Sequence, residues 1–176
     1  MRTRLVLNGK GIEYELVDVD LSDKPGWLRE LNPRNRVPVM RVDGQVLTES
    51  EALDEFLDEY QPQPAMMPAD PIGRARVRAL MRRFEDFSSA FYNARRGEDG
   101  AAEELRAQLS WLDERLSAQP YLAGDQYSLA EPGWWPWVSR LSRIGVDVAD
   151  YPAVAAWSAR LEQRPEYAAE LTLLAV

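Results

Sequence analysis

NPRNRVPVM, residues 32–40, sets a proline inside an apparent strand. Val37, Val39 and Met40 are apolar and strand-prone, yet Pro38 stands among them. Proline has no N–H to give a sheet ladder, so a buried central strand does not carry one there. Two inexpensive explanations exist. Pro38 can occupy an edge or first-residue position, or the Val37–Pro38 bond can be cis. A cis bond would turn the chain and leave the N–H and C=O of Val37 outside the ladder, open to an extended peptide ligand. On Pro38 alone the edge position is the commoner outcome, since only about 5–6% of X–Pro bonds in folded proteins are cis.

The flanking residues give this stretch a context. VPVMRV and QVLT are joined by Asp43-Gly44, the strongest short hairpin signal. SEALDEFLDEY, 50–60, puts Leu53, Phe56, Leu57 and Tyr60 on one helical face, with Ser50 as a natural N-cap. Upstream, Ile12 to Val19 is a β-branched and aromatic run that predicts a strand, preceded by Gly9 and Gly11, which end any helix before them. DKPGWLREL, 23–31, predicts a short helix with Pro25 near its first turn. Downstream, QPQPAMMPADP, 61–71, holds four prolines and reads as a connector. Beyond it the pattern is helical: Val77, Leu80, Met81, Phe84, Phe87 and Phe91 form one stripe, Leu105, Leu109, Leu112 and Leu116 a second, Val154, Trp157 and Leu161 a third. SLAE, 128–131, is a capping box, and Pro136 falls inside the helix that follows. The expected organisation is an α+β domain over 1–61, a linker over 62–71 and an all-α domain over 72–176.

Composition removes whole classes of chemistry. The 176 residues contain no cysteine and no histidine. Disulfides, Cys-based zinc sites, catalytic thiols and Ser/His/Asp machinery are all excluded. No metal site is expected. A net charge of −8 opposes binding to phosphate backbones, so nucleic acid is not an expected partner. No run of about 18 apolar residues is present, so no membrane span is expected and a cytoplasmic location is the default.

What remains is recognition by backbone, hydroxyl and charge. TES, 48–50, lies where hairpin meets helix, and the first amides of that helix with Ser50 can hold a carboxylate. Glu49 can accept an ammonium group. The pair suits the α-amino acid end of a ligand, against a structural alternative of a plain cap and a solvated acid. Arg34 and Arg36 can clamp a second carboxylate, against the commoner role of solvated loop arginines. Trp134, Trp135 and Trp137 point different ways on a helix and suit core packing better than one pocket.

These parts, in this order, resemble the cytosolic glutathione transferase superfamily over nearly the whole chain. KGIEYELVDVDLSDKPGWLRELNPRNRVPVM is similar to its second strand, second helix and cis-proline segment; GQVLTESEALDEFLDEY to its fourth strand and third helix; YLAGDQYSLAEPGWWPWVSRL to its late capping-box helix; YPAVAAWSARLEQRPEY to its penultimate helix. The resemblance implies a thioredoxin-like N-terminal domain lacking its first strand, an all-α C-terminal domain, and a homodimer. It implies that Val37 pairs its backbone with the cysteinyl part of glutathione, that Pro38 is cis, that Glu49 and Ser50 hold the γ-glutamyl end, and that Arg36 takes the glycyl carboxylate. Glutathione would be a co-substrate, conjugated to, or used to reduce, a small hydrophobic electrophile lying near Phe84, Phe87 and Phe91. The family's thiol-activating Tyr, Ser or Cys precedes the helix that RTRLVLNGKG resembles, and Thr3 is the only hydroxyl in the first ten residues. No catalytic residue is therefore assigned; an N-terminal segment absent from the sequence as given is the expected reason, ahead of a natural short form that binds without catalysing and of a rearranged or swapped first strand. The alternative is a non-catalytic binding protein of the stringent starvation protein A type, an RNA polymerase partner, whose pattern EYQPQPAMMP and SRLSRIGVDV resemble.

Overall fold

The computed structural model describes residues 1–174. Helix α1 (Arg2–Gly9) stops where the glycines predict, with Gly11 at φ +66° beyond it. Helix α2 (Gly26–Leu31) follows Pro25, and strands β1 (Val39–Val42) and β2 (Gln45–Thr48) pair antiparallel from Val39↔Thr48 to Val42↔Gln45 around Asp43-Gly44. Both turn residues have positive φ, +48° and +77°, as a tight two-residue hairpin loop requires. Helix α3 (Ser50–Tyr60) runs back across α1.

The predicted strand over 12–19 does not form. Residues 12–20 make no ladder, and Leu16 and Val17 are 49% and 61% exposed. A β-branched run becomes a strand only when a neighbour takes its N–H and C=O groups. Among the described residues the sheet has two strands, and neither pairs with this run.

Five helices and two short 3-10 turns make the described part of the second half. These are α4 (Pro71–Arg95), α5 (Ala101–Ala118), α6 (Ala130–Val138), two 3-10 turns (Leu141–Ile144 and Val148–Asp150), α7 (Pro152–Glu162) and α8 (Pro165–Leu174). Asp70 caps α4 by accepting the Gly73 N–H at 2.8 Å, with Pro71 in the first turn. The stripes meet as the spacing predicts: Phe87, Leu109, Leu112, Trp134, Trp157 and Leu161 are all buried in one core. Trp134 and Trp135 are fully buried, and each indole N–H finds an acceptor, Leu80 O and Ser158 Oγ, both at 3.0 Å.

Two buried acids organise the junctions. Glu131 accepts from the Ser128 N–H and hydroxyl at 2.7 and 2.9 Å and from the Leu122 N–H at 2.7 Å. The box thus closes on the acid side, while the Ser128 hydroxyl takes the Ala130 N–H at 3.3 Å rather than the amide of residue 131. Asp58, at the end of α3, accepts the Met66 and Met67 N–H groups and pairs with Lys10. Lys10 also donates to Gln61 O at 2.8 Å and Pro64 O at 2.7 Å, with no exposed side-chain surface. This cluster ties the proline-rich connector to α1. The Leu129 N–H bonded to Met66 O at 2.9 Å ties the connector to the helical half.

Candidate functional site

The loop before β1 is shaped by Asn32. Its side chain is buried, donates to Arg36 O at 2.8 Å and accepts the Arg34 N–H at 3.0 Å, while its carbonyl accepts the Asn35 N–H at 2.7 Å. A side chain that bonds the backbone around it in this way fixes a turn. The turn throws Arg34 and Arg36 outward, and the two line a hollow of about 480 Å³. Lys24 adds a third cation, its ammonium bonded to Asn35 O at 3.0 Å. The Val37–Pro38 peptide is cis. Val37 is 42% exposed and lies outside the β1–β2 ladder, which begins at Val39.

The other wall is the β2–α3 junction. Helix α3 begins at Ser50, so the expected N-cap position falls instead on Glu49, whose side chain makes no capping bond. Glu49 holds φ +67° and ψ 108°. A non-glycine residue at such an angle costs on the order of 1–3 kcal/mol and is commonest at ligand clamps. The Ser50 hydroxyl, half-buried, makes no hydrogen bond among the described residues, and the first backbone amide of α3 to be used inside the fold is that of Leu53, bonded to Glu49 O. The amides at the helix start and an idle hydroxyl therefore face one place, with the positive end of the helix behind them.

Glu49 spans the two walls. Its carboxylate accepts from Arg34 Nη1 at 3.0 Å, with the side chains 54% and 68% exposed. An exposed pair is worth about 0–1 kcal/mol, so a ligand ammonium can replace the arginine at little cost. The site thus presents an anion-binding helix start beside one acid on one side and a cluster of cations on the other, with free strand-like backbone between.

The remaining sequence-predicted residues are placed elsewhere. Phe84, Phe87 and Phe91 are 5%, 0% and 4% exposed, and Phe84 packs edge-on against Trp134 and Trp137. They belong to the core and form no open wall for an apolar co-substrate. The same stripe that made them candidates is what buries them. Thr3 is buried on α1. Sequence reasoning did not single out Asn32, Lys24, Arg2 or Asp54. The Asn-Pro dipeptide at 32–33 is a turn signal that would have found the first. Asp54 and Asp58, four apart and each next to an apolar-stripe position, were the available sign of buried acids.

Comparisons with known proteins bear on the family and the fold. The family model described as glutathione S-transferase, N-terminal domain, matches residues 1–60, and that described as glutathione S-transferase, C-terminal domain, matches residues 73–160. Glutathione S-transferase omega-1 of Rattus norvegicus is 32% identical over 174 residues, covering 93% of this chain and 72% of that protein. A stringent starvation protein A homolog of Pasteurella multocida is 32% identical over 173 residues, covering 94% of this chain and 82% of its own length. A sphingomonad glutathione S-transferase solved in complex with glutathione superposes with a TM-score of 0.89 at 26% identity, covering 98% of this chain and 92% of that one. With both family models matched along most of its length and the architecture shared, the chain belongs to the glutathione S-transferase family, as a thioredoxin-like α+β half followed by a helical half.

Proposed function

We propose that this protein binds glutathione in the cradle between the 32–37 loop and the start of α3, and transfers it to, or uses it to reduce, a small hydrophobic electrophile. The observation that carries the reading is the pairing of Glu49-Ser50 at a strained helix start with Arg34 and Arg36 across the exposed Val37 backbone. Glutathione has one carboxylate and one ammonium at its γ-glutamyl end and a second carboxylate at its glycyl end. Ser50 and the α3 amides take the first carboxylate, Glu49 takes the ammonium, and Arg36 takes the second carboxylate. Val37 offers its N–H and C=O to the cysteinyl residue as a strand would, and Pro38 fixes the turn that presents it. Residues 1–61 then form the glutathione-binding domain, 62–71 the linker and 72–176 the helical domain, in a homodimer. No residue is assigned to thiol activation.

A second reading is favoured by the 32% identity to the stringent starvation protein A homolog, equal to that with the transferase. In it the same fold serves as a non-catalytic binding protein. Retention on immobilised glutathione, with turnover of a chlorinated nitroaromatic acceptor, supports the first reading. Failure of retention together with capture of RNA polymerase supports the second and contradicts the first.

A further inference from the structure

Beneath the cradle lies a buried ion pair that the site described above does not use. Arg2, in the first turn of α1, sends its guanidinium across α3 and under α6. Its Nε is 3.2 Å from Asp54 Oδ2 and its Nη2 is 3.6 Å from Glu51 Oε1, both acids on α3. Its Cζ lies 5.5 Å from the Phe84 ring centroid on α4, and a Cβ added to Gly133 on α6 would come within 3.1 Å of Nη2. From α1, one side chain thus meets α3 in the first half and two helices, α4 and α6, of the second. Gly133 is the clearance that lets it do so.

The pair is incompletely hydrogen-bonded. Asp54 is wholly buried, yet neither of its oxygens has a hydrogen-bond partner among the described residues; nor do Arg2 Nε, Arg2 Nη2 or the Thr3 hydroxyl. At 3.2 Å the Nε–H is close enough to Asp54 but not aimed at it. Buried charges ordinarily carry full sets of hydrogen bonds, and a pair lacking them is costly to keep ionised. Asp54 lies one turn beyond Ser50 on the same helix, and Glu51 is the residue after Ser50.

We propose that Arg2 and Asp54 are positioning residues for the glutathione cradle: their buried contact holds the first turn of α3, with Glu49 and Ser50 at its tip, against the helical half. The inference rests on the glutathione reading above. The titration of Asp54 makes it measurable. Burial pushes this carboxyl up to about 7, opposed by the Arg2 guanidinium and by Thr3. The groups that face it are Arg2, Thr3 and the Met1 amine from α1 and Glu51 from α3, while α4 and α6 bring Phe84 and Gly133. With no histidine or cysteine in the chain, few other groups change charge near neutrality: Glu131, also raised to about 7 by burial, and the Met1 amine, lowered by burial. A buried carboxyl raised in this way favours its protonated form in the fold, so as pH rises through about 7 Asp54 loses its proton, a poorly solvated charge is left beneath α3, and its first turn is held less firmly.

The test is calorimetric titration of the full chain with reduced glutathione at about pH 6 and about pH 7.5, beside Asp54→Asn and Glu131→Gln. The parent protein binds roughly two- to fourfold more weakly at the higher pH, Asp54→Asn shows no such difference, and Glu131→Gln keeps it. Changes in glutathione itself are common to all three and cancel. A difference that persists in Asp54→Asn, or vanishes in Glu131→Gln instead, overturns the inference and leaves the glutathione reading standing. Amide exchange in the first turn of α3, corrected for its intrinsic pH dependence, supplies a readout without ligand. Protection of Leu53, whose N–H bonds Glu49 O, falls from the lower to the higher pH in the parent and not in Asp54→Asn. Unchanged protection contradicts the inference whatever glutathione does. If protection changes as stated and glutathione fails to bind at either pH, the pair positions α3 and the glutathione reading fails. Gly133→Ala, whose new methyl group crowds Arg2 from the other half, weakens binding in the same direction.

Discussion

Ser50 is the residue at which binding and folding separate most cleanly. Its hydroxyl has no hydrogen bond among the described residues, and it is the first residue of α3 rather than its cap. Ser50→Ala should therefore leave the melting temperature within the change expected for a surface substitution, about 0.5 kcal/mol in stability. It should still lower glutathione affinity by roughly tenfold, the worth of about one hydrogen bond to a charged group. A thermal melt and a binding titration on the same preparation check this; matched losses in both would mean that the hydroxyl is a structural cap. Arg34 and Arg36 differ in the same way. Arg34 already has Glu49 at 3.0 Å, so Arg34→Ala frees Glu49 for the ligand ammonium, whereas Arg36→Ala removes a clamp and weakens binding.

Among the elements, α1 and α3 are locked by Lys10 and Asp58. Lys10 is enclosed by Asp58, Gln61 O and Pro64 O, and Asp58 also holds the Met66 and Met67 amides. Lys10→Met leaves a buried carboxylate without its cation and should cost about 3–5 kcal/mol, read from urea unfolding at neutral pH. A loss under about 1 kcal/mol would show that the connector is held by packing instead. This lock was not legible in the sequence, since nothing local to Lys10 marks it as buried beside Asp58. The helices were legible because their stripes are long: the Val77–Phe91 and Leu105–Leu116 periodicities fixed which faces meet. The turns of the candidate site were legible because their chemistry is local, in Asp43-Gly44 and Val37-Pro38, while the cap of α3 fell on Glu49 rather than on the expected Ser50. The run at 12–19 misled for the opposite reason. Its propensity is that of a strand, but a strand needs a neighbour, and no property of Ile12, Tyr14 or Val17 reveals whether one is there. Phe84, Phe87 and Phe91 carry the same ambiguity, since one apolar stripe serves a core or a pocket alike.

For the whole molecule, two buried carboxyls shape stability against pH. Asp54 and Glu131 are each raised to about 7 by burial. A carboxyl whose folded pKa lies above its unfolded value keeps its proton longer in the folded state, so stability is greatest below the unfolded pKa, about 4, and is lost as pH rises through about 7. Glu55, lowered by Arg78, acts in the opposite sense, but only as pH falls below the ordinary carboxylate range. Unfolding free energy measured in urea should therefore decline between about pH 5 and pH 7.5, by on the order of a few kcal/mol, and less in Asp54→Asn. A flat or rising profile contradicts the burial of these acids as charged groups. The net charge of −8 makes the cation cluster at Lys24, Arg34 and Arg36 a local exception, and that exception is where an anionic tripeptide is expected. The most direct test of that expectation is a calorimetric titration of reduced glutathione into the intact protein, with Ser50→Ala and Arg36→Ala beside it. Saturable binding of one tripeptide per chain, weakened about tenfold or more by either substitution, is the predicted result. Absence of saturable binding, or binding indifferent to both substitutions, would contradict it.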